Sequence, residues 1–360
     1  MIHLDGSYLE GGGQIIRTAL SLSTLTKTGF EAYNIRKGRK QPGLKNQHLY
    51  AIRTLKEQCN AYVEGAELGS EKFNYAPRDI CGGKIDVDIQ TAGSITLVLQ
   101  AILMPLLFAD RGSVITLTGG TDTKWSQPVD YFNYILAPQL RKFCDRLDIR
   151  IMKRGYYPKG GGNVTVDIMP RYKLKDFSSF SEFYQTVSSE VADINLTEQG
   201  ELVQIKGVSH ASADLQSRKV ADRQAEQANM LLKKFRVPLD IRVEYSQTFS
   251  TGSGITLWAI FSKNNEIDIN NPVILGADAL GEPGRSSEKV GEEAARRLIK
   301  EIESGTQVDV HLADNLVPWL IFGGQFRVEE MSNHTRTNVW VVNNFFKDKI
   351  EIRDKLILAH

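Results

Sequence analysis

Residues Ile2 to Ser21, IHLDGSYLEGGGQIIRTALS, set a short strand pattern before a small-residue turn and an apolar run at helical spacing. Three consecutive glycines at a helix start can turn several backbone N–H groups toward an anion, and the helix dipole favours negative charge there. No GK[ST] follows the glycines and no third glycine completes GxGxxG, so neither common nucleotide-binding signature applies. The strand, turn and helix order recurs. KIDVDIQ precedes AGSITLVLQAILMPLLF, and PVILGADAL precedes RSSEKVGEEAARRLIKEI. A second helix pattern follows in each copy: LKNQHLYAIRTLKEQC, VDYFNYILAPQLRKFC and LADNLVPWLIFG. Each copy then closes on strand patterns; in the third these are FRVEEMS and TNVWVVNNFF, apolar at period two.

The expected fold is α+β: three repeated βαβαββ units form a large domain, with a smaller inserted α/β domain. The insert is expected because about ninety residues separate the second and third copies. They open with DFSSFSEFYQTVSSE, which reads as a linker or irregular loop, and continue with ELVQIKGV, the charged helix RKVADRQAEQANMLLKKF, and the strands LDIRVEYS and GITLWAIFS. The expected division is 1–178 for the first two units, 179–271 for the insert and 272–360 for the third unit.

Composition narrows the function classes. Of 360 residues, 41% are hydrophobic, and 44 basic residues nearly cancel 43 acidic ones, so attraction to nucleic acid has to come from a local patch. Cys59, Cys81 and Cys144 lie far apart with no CxxC, which disfavours a disulfide framework or zinc site and suits a reducing, cytoplasmic setting. The start, MIHLDGS, carries no export pattern. ITLVLQAILMPLLFA contains Gln100 and Pro105 and is shorter than the ~20 residues of a membrane span, so it reads as a buried helix and no membrane partner is expected.

Several residues could carry chemistry. The loop Ile35–His48, IRKGRKQPGLKNQH, is either a solvated turn or a polyphosphate or RNA-end site. Arg36 and Arg39 could present guanidinium forks to phosphate oxygens, with Gln47 and His48 following at a helix start. Glu10 is either a helix-start carboxylate or a ligand for Mg²⁺ or Mn²⁺, which need only one or two protein carboxylates beside phosphates. Arg17, one turn on, could point back to the same phosphates. Gln100 is either a core hydrogen bond or a group lining a site between units. His334 sits in a turn before a β-patterned segment; it is either merely exposed or a covalent carrier, because neutral imidazole is nucleophilic and protonated imidazole leaves well. Asp314 could orient it.

Taken in order, DGSYLEGGGQIIRTALSLS, IRKGRKQPGLKNQH, TAGSITLVLQ, TGGTD, GYYPKGGG, HLADNL and SNHTRTN resemble the RNA 3′-terminal phosphate cyclases over nearly the whole chain. The resemblance implies the same three-unit fold with an insert. It implies a ligase-class enzyme that uses ATP to convert an RNA 3′-terminal phosphate to a 2′,3′-cyclic phosphate, through a covalent histidine–AMP and an RNA(3′)pp(5′)A intermediate. By motif it places the nucleophile at His334 and an essential aspartate at Asp314. The metal glutamate falls at Glu10, and the triphosphate-facing groups at Gln14, Arg17, Arg36, Arg39, Gln47, His48 and Gln100. His311 stands where some members carry a tyrosine that packs on adenine. The expected partners are ATP and RNA with a 3′-phosphate end, with room for a homodimer. The alternative is a cyclase-like, non-catalytic protein of RNA and ribosome assembly, which shares the fold but lacks the histidine; the enolpyruvyl transferases are a more distant one.

Overall fold

The computed structural model of the chain describes all 360 residues. Its architecture is α+β, with four four-stranded sheets. The first sheet comes from β1 (Ile2–Asp5), α1 (Gln14–Thr26), β2 (Phe30–Tyr33), α2 (Asn46–Cys59), β3 (Tyr62–Glu64) and β4 (Phe73–Ala76), in strand order β1-β2-β4-β3. The second repeats that plan with β5 (Lys84–Asp88), α3 (Ile95–Leu107), β6 (Ser113–Gly119), the short helices α4 (Val129–Tyr131) and α5 (Ala137–Leu140), β7 (Cys144–Lys153) and β8 (Gly162–Pro170), in order β5-β6-β8-β7. In both, the first two strands pair in parallel and the remaining pairs are antiparallel. A helical crossover of this kind is what parallel neighbours require.

After α6 (Phe180–Glu190), the strand β9 (Ile194–Leu196) leads into β10 (Glu201–Ser212), α7 (Val220–Leu232), β11 (Leu239–Ser246), β12 (Ser253–Ser262), β13 (Ile274–Leu280) and α8 (Ser287–Ser304). These give a sheet of different order, β11-β10-β12-β13, called the fourth sheet because it stands apart from the other three, with α7 and α8 packed on it around a core of their own. The chain then makes α9 (Val310–Leu316), β14 (Gly324–Arg327), α10 (Asn333–Phe345), β15 (Ile350–Arg353) and β16 (Leu356–Ala359). Here β14 pairs in parallel with the distant β9 and antiparallel with β16, so the sheet β15-β16-β14-β9 has the first plan again.

Three expectations need correction. TNVWVVNNFF is not a strand but the body of α10. Its β-branched residues favour strand, yet Ser332 caps the helix by accepting the Thr335 N–H at 2.9 Å, and Thr335, Asn338, Val339 and Val342 are buried at helical spacing, with α10 packed against α1. DFSSFSEFYQTVSSE is not a linker. Phe180, Phe183, Tyr184 and Val187 recur at i, i+3, i+4 and i+7, and Phe183 and Val187 are buried in the main core, with Phe183 edge-on to Phe108. The boundary expected at 271/272 falls between β12 and β13, which are hydrogen-bonded neighbours in register from Gly254↔Leu280 to Ile260↔Ile274. PVILGADAL and RSSEKVGEEAARRLIKEI therefore belong with the fourth sheet rather than opening a third unit.

The helix α1 is where the other units meet: it packs on α2, α3 and α10. It begins at Gly13 with no side chain capping its first N–H groups and stops at Lys27, which takes a left-handed conformation at φ 55°. Eleven of its thirteen residues are buried, and its N-terminus opens onto the junction of α1, α3, α9 and α10. The apolar α3 is likewise almost wholly buried, and no helix of the protein is long and apolar enough to cross a membrane.

Candidate active site

A cleft at that junction is lined by Gln14, Arg17, Gln100, Asp314, Asn315 and His334, among others. His334 occupies the first turn of α10 and stands between two carboxylates. Its Nε2 lies 3.1 Å from Glu10 Oε1, and its Nδ1 lies 3.6 Å from Asp314 Oδ2. Asp314 is itself fixed, because the hydroxyls of Ser332 and Thr335 donate to its Oδ1 at 2.5 and 2.6 Å. The residues that cap α10 thus also aim the carboxylate at the imidazole. Glu10 is held from its other side by Arg39, whose NH2 group donates to Oε2 at 3.0 Å.

Deeper in, Arg17 Nε donates to Gln100 Oε1 at 2.7 Å, and Gln100 Nε2 donates to Asn315 Oδ1 at 2.9 Å. This chain joins α1, α3 and α9 and aligns the guanidinium without neutralising it. Arg17 forms no ion pair within 4.0 Å; burial pushes it down to about 10, against the opposing pull of Asp314. A half-buried cation held by neutral partners is poised for an anion.

The helix start adds donors. His48 Nδ1 accepts the backbone N–H of Lys45 at 3.0 Å, so the ring proton belongs on Nε2. That Nε2 is buried with no partner, and so is the side-chain nitrogen of Gln14. Burial first, then the charges of Arg17, Arg36 and Lys45, hold His48 well below the ordinary histidine range, so it is a neutral donor. The glycines make room for this arrangement: a β-carbon on Gly13 would lie 2.2 Å from His48 Nε2, and one on Gly12 would lie 1.8 Å from Gln14 Oε1.

Not all expected residues converge. Arg36, at φ 55°, spends NH1 on the carbonyls of Gln41 and Gly43 and so braces the basic loop. Gln47 lies in the first turn of α2 outside the cleft lining. His311 also lies outside it: its Nδ1 is 3.1 Å from Gln127 Nε2, and its ring stands edge-on to Tyr131. Sequence reasoning missed Asn338, whose Nδ2 donates to the Asp314 carbonyl at 2.7 Å while its Oδ1 accepts the Thr18 hydroxyl at 2.8 Å. Helical spacing of four from His334 would have found it. It also missed Asn315, the neighbour of Asp314 that completes the chain from Arg17.

Asp122, Asp130 and His210 form the one group with metal-ligand proximity, but it is buried elsewhere, and Arg154 already donates to both carboxylates at 3.4 and 2.8 Å. Beside His334 the hard oxygen donor is Glu10, a partly exposed carboxylate 3.1 Å from the imidazole and 3.0 Å from the Arg39 guanidinium, which suits a divalent ion shared with phosphates.

Comparison with known proteins shows the family. The family described as RNA 3′-terminal phosphate cyclase matches residues 8–352. The chain is 42% identical over 354 residues to the RNA 3′-terminal phosphate cyclase of Pyrococcus furiosus, covering 98% of this chain and 95% of that protein. It is 41% identical over 359 residues to the protein of that name from Methanosarcina mazei, covering 99% and 97%. The Saccharolobus solfataricus protein of the same name is 39% identical over 358 residues, covering 99% and 97%. With the match running through the glycine turn, the basic loop and the His334 helix alike, the chain belongs to the RNA 3′-terminal phosphate cyclase family.

Proposed function

We propose that the protein converts an RNA 3′-terminal phosphate to a 2′,3′-cyclic phosphate, with ATP consumed to AMP and pyrophosphate. The observation that carries this reading is a histidine set between two carboxylates at a cleft lined by unpaired donors. Drawing the Nδ1 proton toward Asp314 leaves the Nε2 lone pair for the α-phosphorus of ATP. A P–N bond forms as the Pα–O bond to pyrophosphate breaks, and pyrophosphate leaves with the electron pair. An oxygen of the RNA 3′-phosphate then attacks the same phosphorus, and the P–N pair returns to the imidazole. Last, the 2′-oxygen attacks the RNA phosphorus and gives up its proton, and AMP departs.

Arg17, Gln14, His48 and Arg39 face the triphosphate in this reading, with Gln100 as the positioning group for Arg17. Arg36 and Gln47 act through the loop, and His311 borders the base. Glu10 would hold Mg²⁺ or Mn²⁺, which neutralises charge on the phosphates when bound. The shared plan of three sheets supports three βαβαββ units, with the segment 201–304 as the insert within the third.

The test uses ATP labelled at the α-phosphate with a divalent metal. Label should stay on the denatured wild-type protein and be lost in His334→Ala. Glu10→Ala should slow labelling, with partial recovery as Mn²⁺ is raised. Covalent label that persists undiminished in His334→Ala refutes the nucleophile.

A further inference from the structure

Two polar links run side by side between α1 and α9. Arg17 reaches Asn315 through the Gln100 amide of α3, by hydrogen bonds of 2.7 and 2.9 Å. Thr18, the next residue of α1, reaches Asp314, the residue before Asn315, through the Asn338 amide of α10. The Thr18 hydroxyl donates to Asn338 Oδ1 at 2.8 Å, and Asn338 Nδ2 donates to the Asp314 carbonyl at 2.7 Å. Thr18 and Asn338 are 6% and 4% exposed, and both line the cleft. The orientation of this amide is fixed by its neighbours: the Asp314 carbonyl can only accept, so the nitrogen faces it and the oxygen faces the hydroxyl. One side chain thereby joins α1, α9 and α10, a single helical turn from His334.

The helix α10 grips Asp314 at two ends. The Ser332 and Thr335 hydroxyls hold its carboxylate, and Asn338 holds its carbonyl. Of these grips only the last continues to α1, the helix whose start carries the phosphate-facing donors. The His334 Nδ1 to Asp314 Oδ2 separation of 3.6 Å is longer than a hydrogen bond, so that contact does not itself hold the helices in place. We propose that Asn338 is a positioning residue for nucleotidyl transfer, setting the His334–Asp314 pair against the α1 start and so against the phosphates bound there. The role rests on the cyclase reading above for the reaction it serves. Both ends of the Asn338 amide are engaged by protein, so it acts through these neighbours and not by touching the reacting atoms. Transfer to phosphorus is steep in distance, and a displacement of about 1 Å is enough to cost about a hundredfold in rate.

The experiment follows covalent label from α-labelled ATP over a range of ATP concentrations, so that the maximal rate and the half-saturating concentration are read separately. Each rate is scaled to the folded fraction measured by circular dichroism, which removes any loss due to stability alone. Thr18→Val keeps the shape of the side chain and deletes its bond to Asn338. Its maximal rate should fall about tenfold or more, with half-saturation within about twofold of wild type. Thr18→Ser keeps the hydroxyl and should return most of the rate. Asn338→Leu should fall at least as far as Thr18→Val, and the two combined should be no slower than Asn338→Leu alone, since one link is cut only once. The Thr18 variants decide the matter even where Asn338→Leu fails to fold. A maximal rate in Thr18→Val equal to wild type overturns the positioning role, as does a loss confined to half-saturation, a Thr18→Ser no faster than Thr18→Val, or a double variant slowed by the product of the single losses. Wild-type protein that takes up no label refutes the cyclase reading, and the role falls with it. Wild type and Thr18→Val that label equally well refute the role alone.

Discussion

At the scale of single residues, the site is built from groups denied their usual partners. His48 is the clearest, a neutral donor with one ring nitrogen satisfied and the other facing the glycine turn. Its pKa lies well below the ordinary 6.5, so the unfolded chain binds a proton there that the folded chain refuses. The sign follows from proton counting: stability is fully present above the unfolded value and falls as pH drops below it, by at most about 1.4 kcal/mol per pH unit for one group. Glu301 acts oppositely, since burial and then Asp309 push it up to about 7, and its folded form favours lower pH. The wild-type profile is therefore a sum, and the difference between wild type and His48→Asn isolates the histidine. Urea unfolding between pH 7.5 and 5.5 should show the wild type losing stability relative to His48→Asn as pH falls. A difference that stays constant across that range would mean that His48 protonates freely in the folded protein.

At the scale of elements, two helix starts make the site: α1 brings the glycines and Arg17, and α10 brings His334. The first was legible because IHLDG, the glycines and the apolar run of α1 carry their own periodicity. The second was not, because Thr337, Val339, Val341 and Val342 are β-branched and alternate, and only packing against α1 makes that segment helical. The histidine was found by its motif, whereas Asn338 was hidden by the wrong period. The same local bias explains the unread α6, whose polar serines mask an aromatic stripe. Gly13 tests the α1 start. A methyl there would collide with His48 Nε2 rather than with a flexible chain end, and both the imidazole and Arg17 would have to give way. Gly13→Ala should therefore reduce self-labelling about tenfold or more, on the scale expected when transition-state donors are displaced, while its circular dichroism spectrum stays that of wild type. Labelling at the wild-type rate would show that the donors around Gly13 do not meet the nucleotide.

At the scale of the whole molecule, the fourth sheet is fastened to the second by a buried charge cluster, and here stability and catalysis separate. Arg154, 2% exposed, follows β7 and bridges Asp130 and Asp122 of its own unit to Glu244 on β11, at 2.8, 3.4 and 2.9 Å. His210 on β10 lies 3.1 Å from Asp122 and receives or donates a 2.7 Å hydrogen bond with Tyr156. Burial pushes the Asp122 carboxyl up, but the charges of His210 and Arg154 outweigh it and hold it below the usual carboxylate range. Removing the guanidinium from this setting leaves two buried carboxylates facing each other with one imidazole between them. Breaking one side of a buried ion cluster costs about 3–5 kcal/mol, and lysine, a point charge, cannot restore a planar group that reaches three carboxylates. Arg154→Met should therefore lower the unfolding free energy measured in urea by an amount in that range, and Arg154→Lys should recover only a minor part. The cluster does not line the cleft, so protein that remains folded in either variant should label itself with AMP at close to the wild-type rate. Amide hydrogen exchange should rise first in β10 and β11, where the cluster grips the fourth sheet. If exchange rises equally in α1 and α10, the fourth sheet and the catalytic helices unfold as one unit, and the contact between sheets is part of the site's own framework rather than a separate fastening.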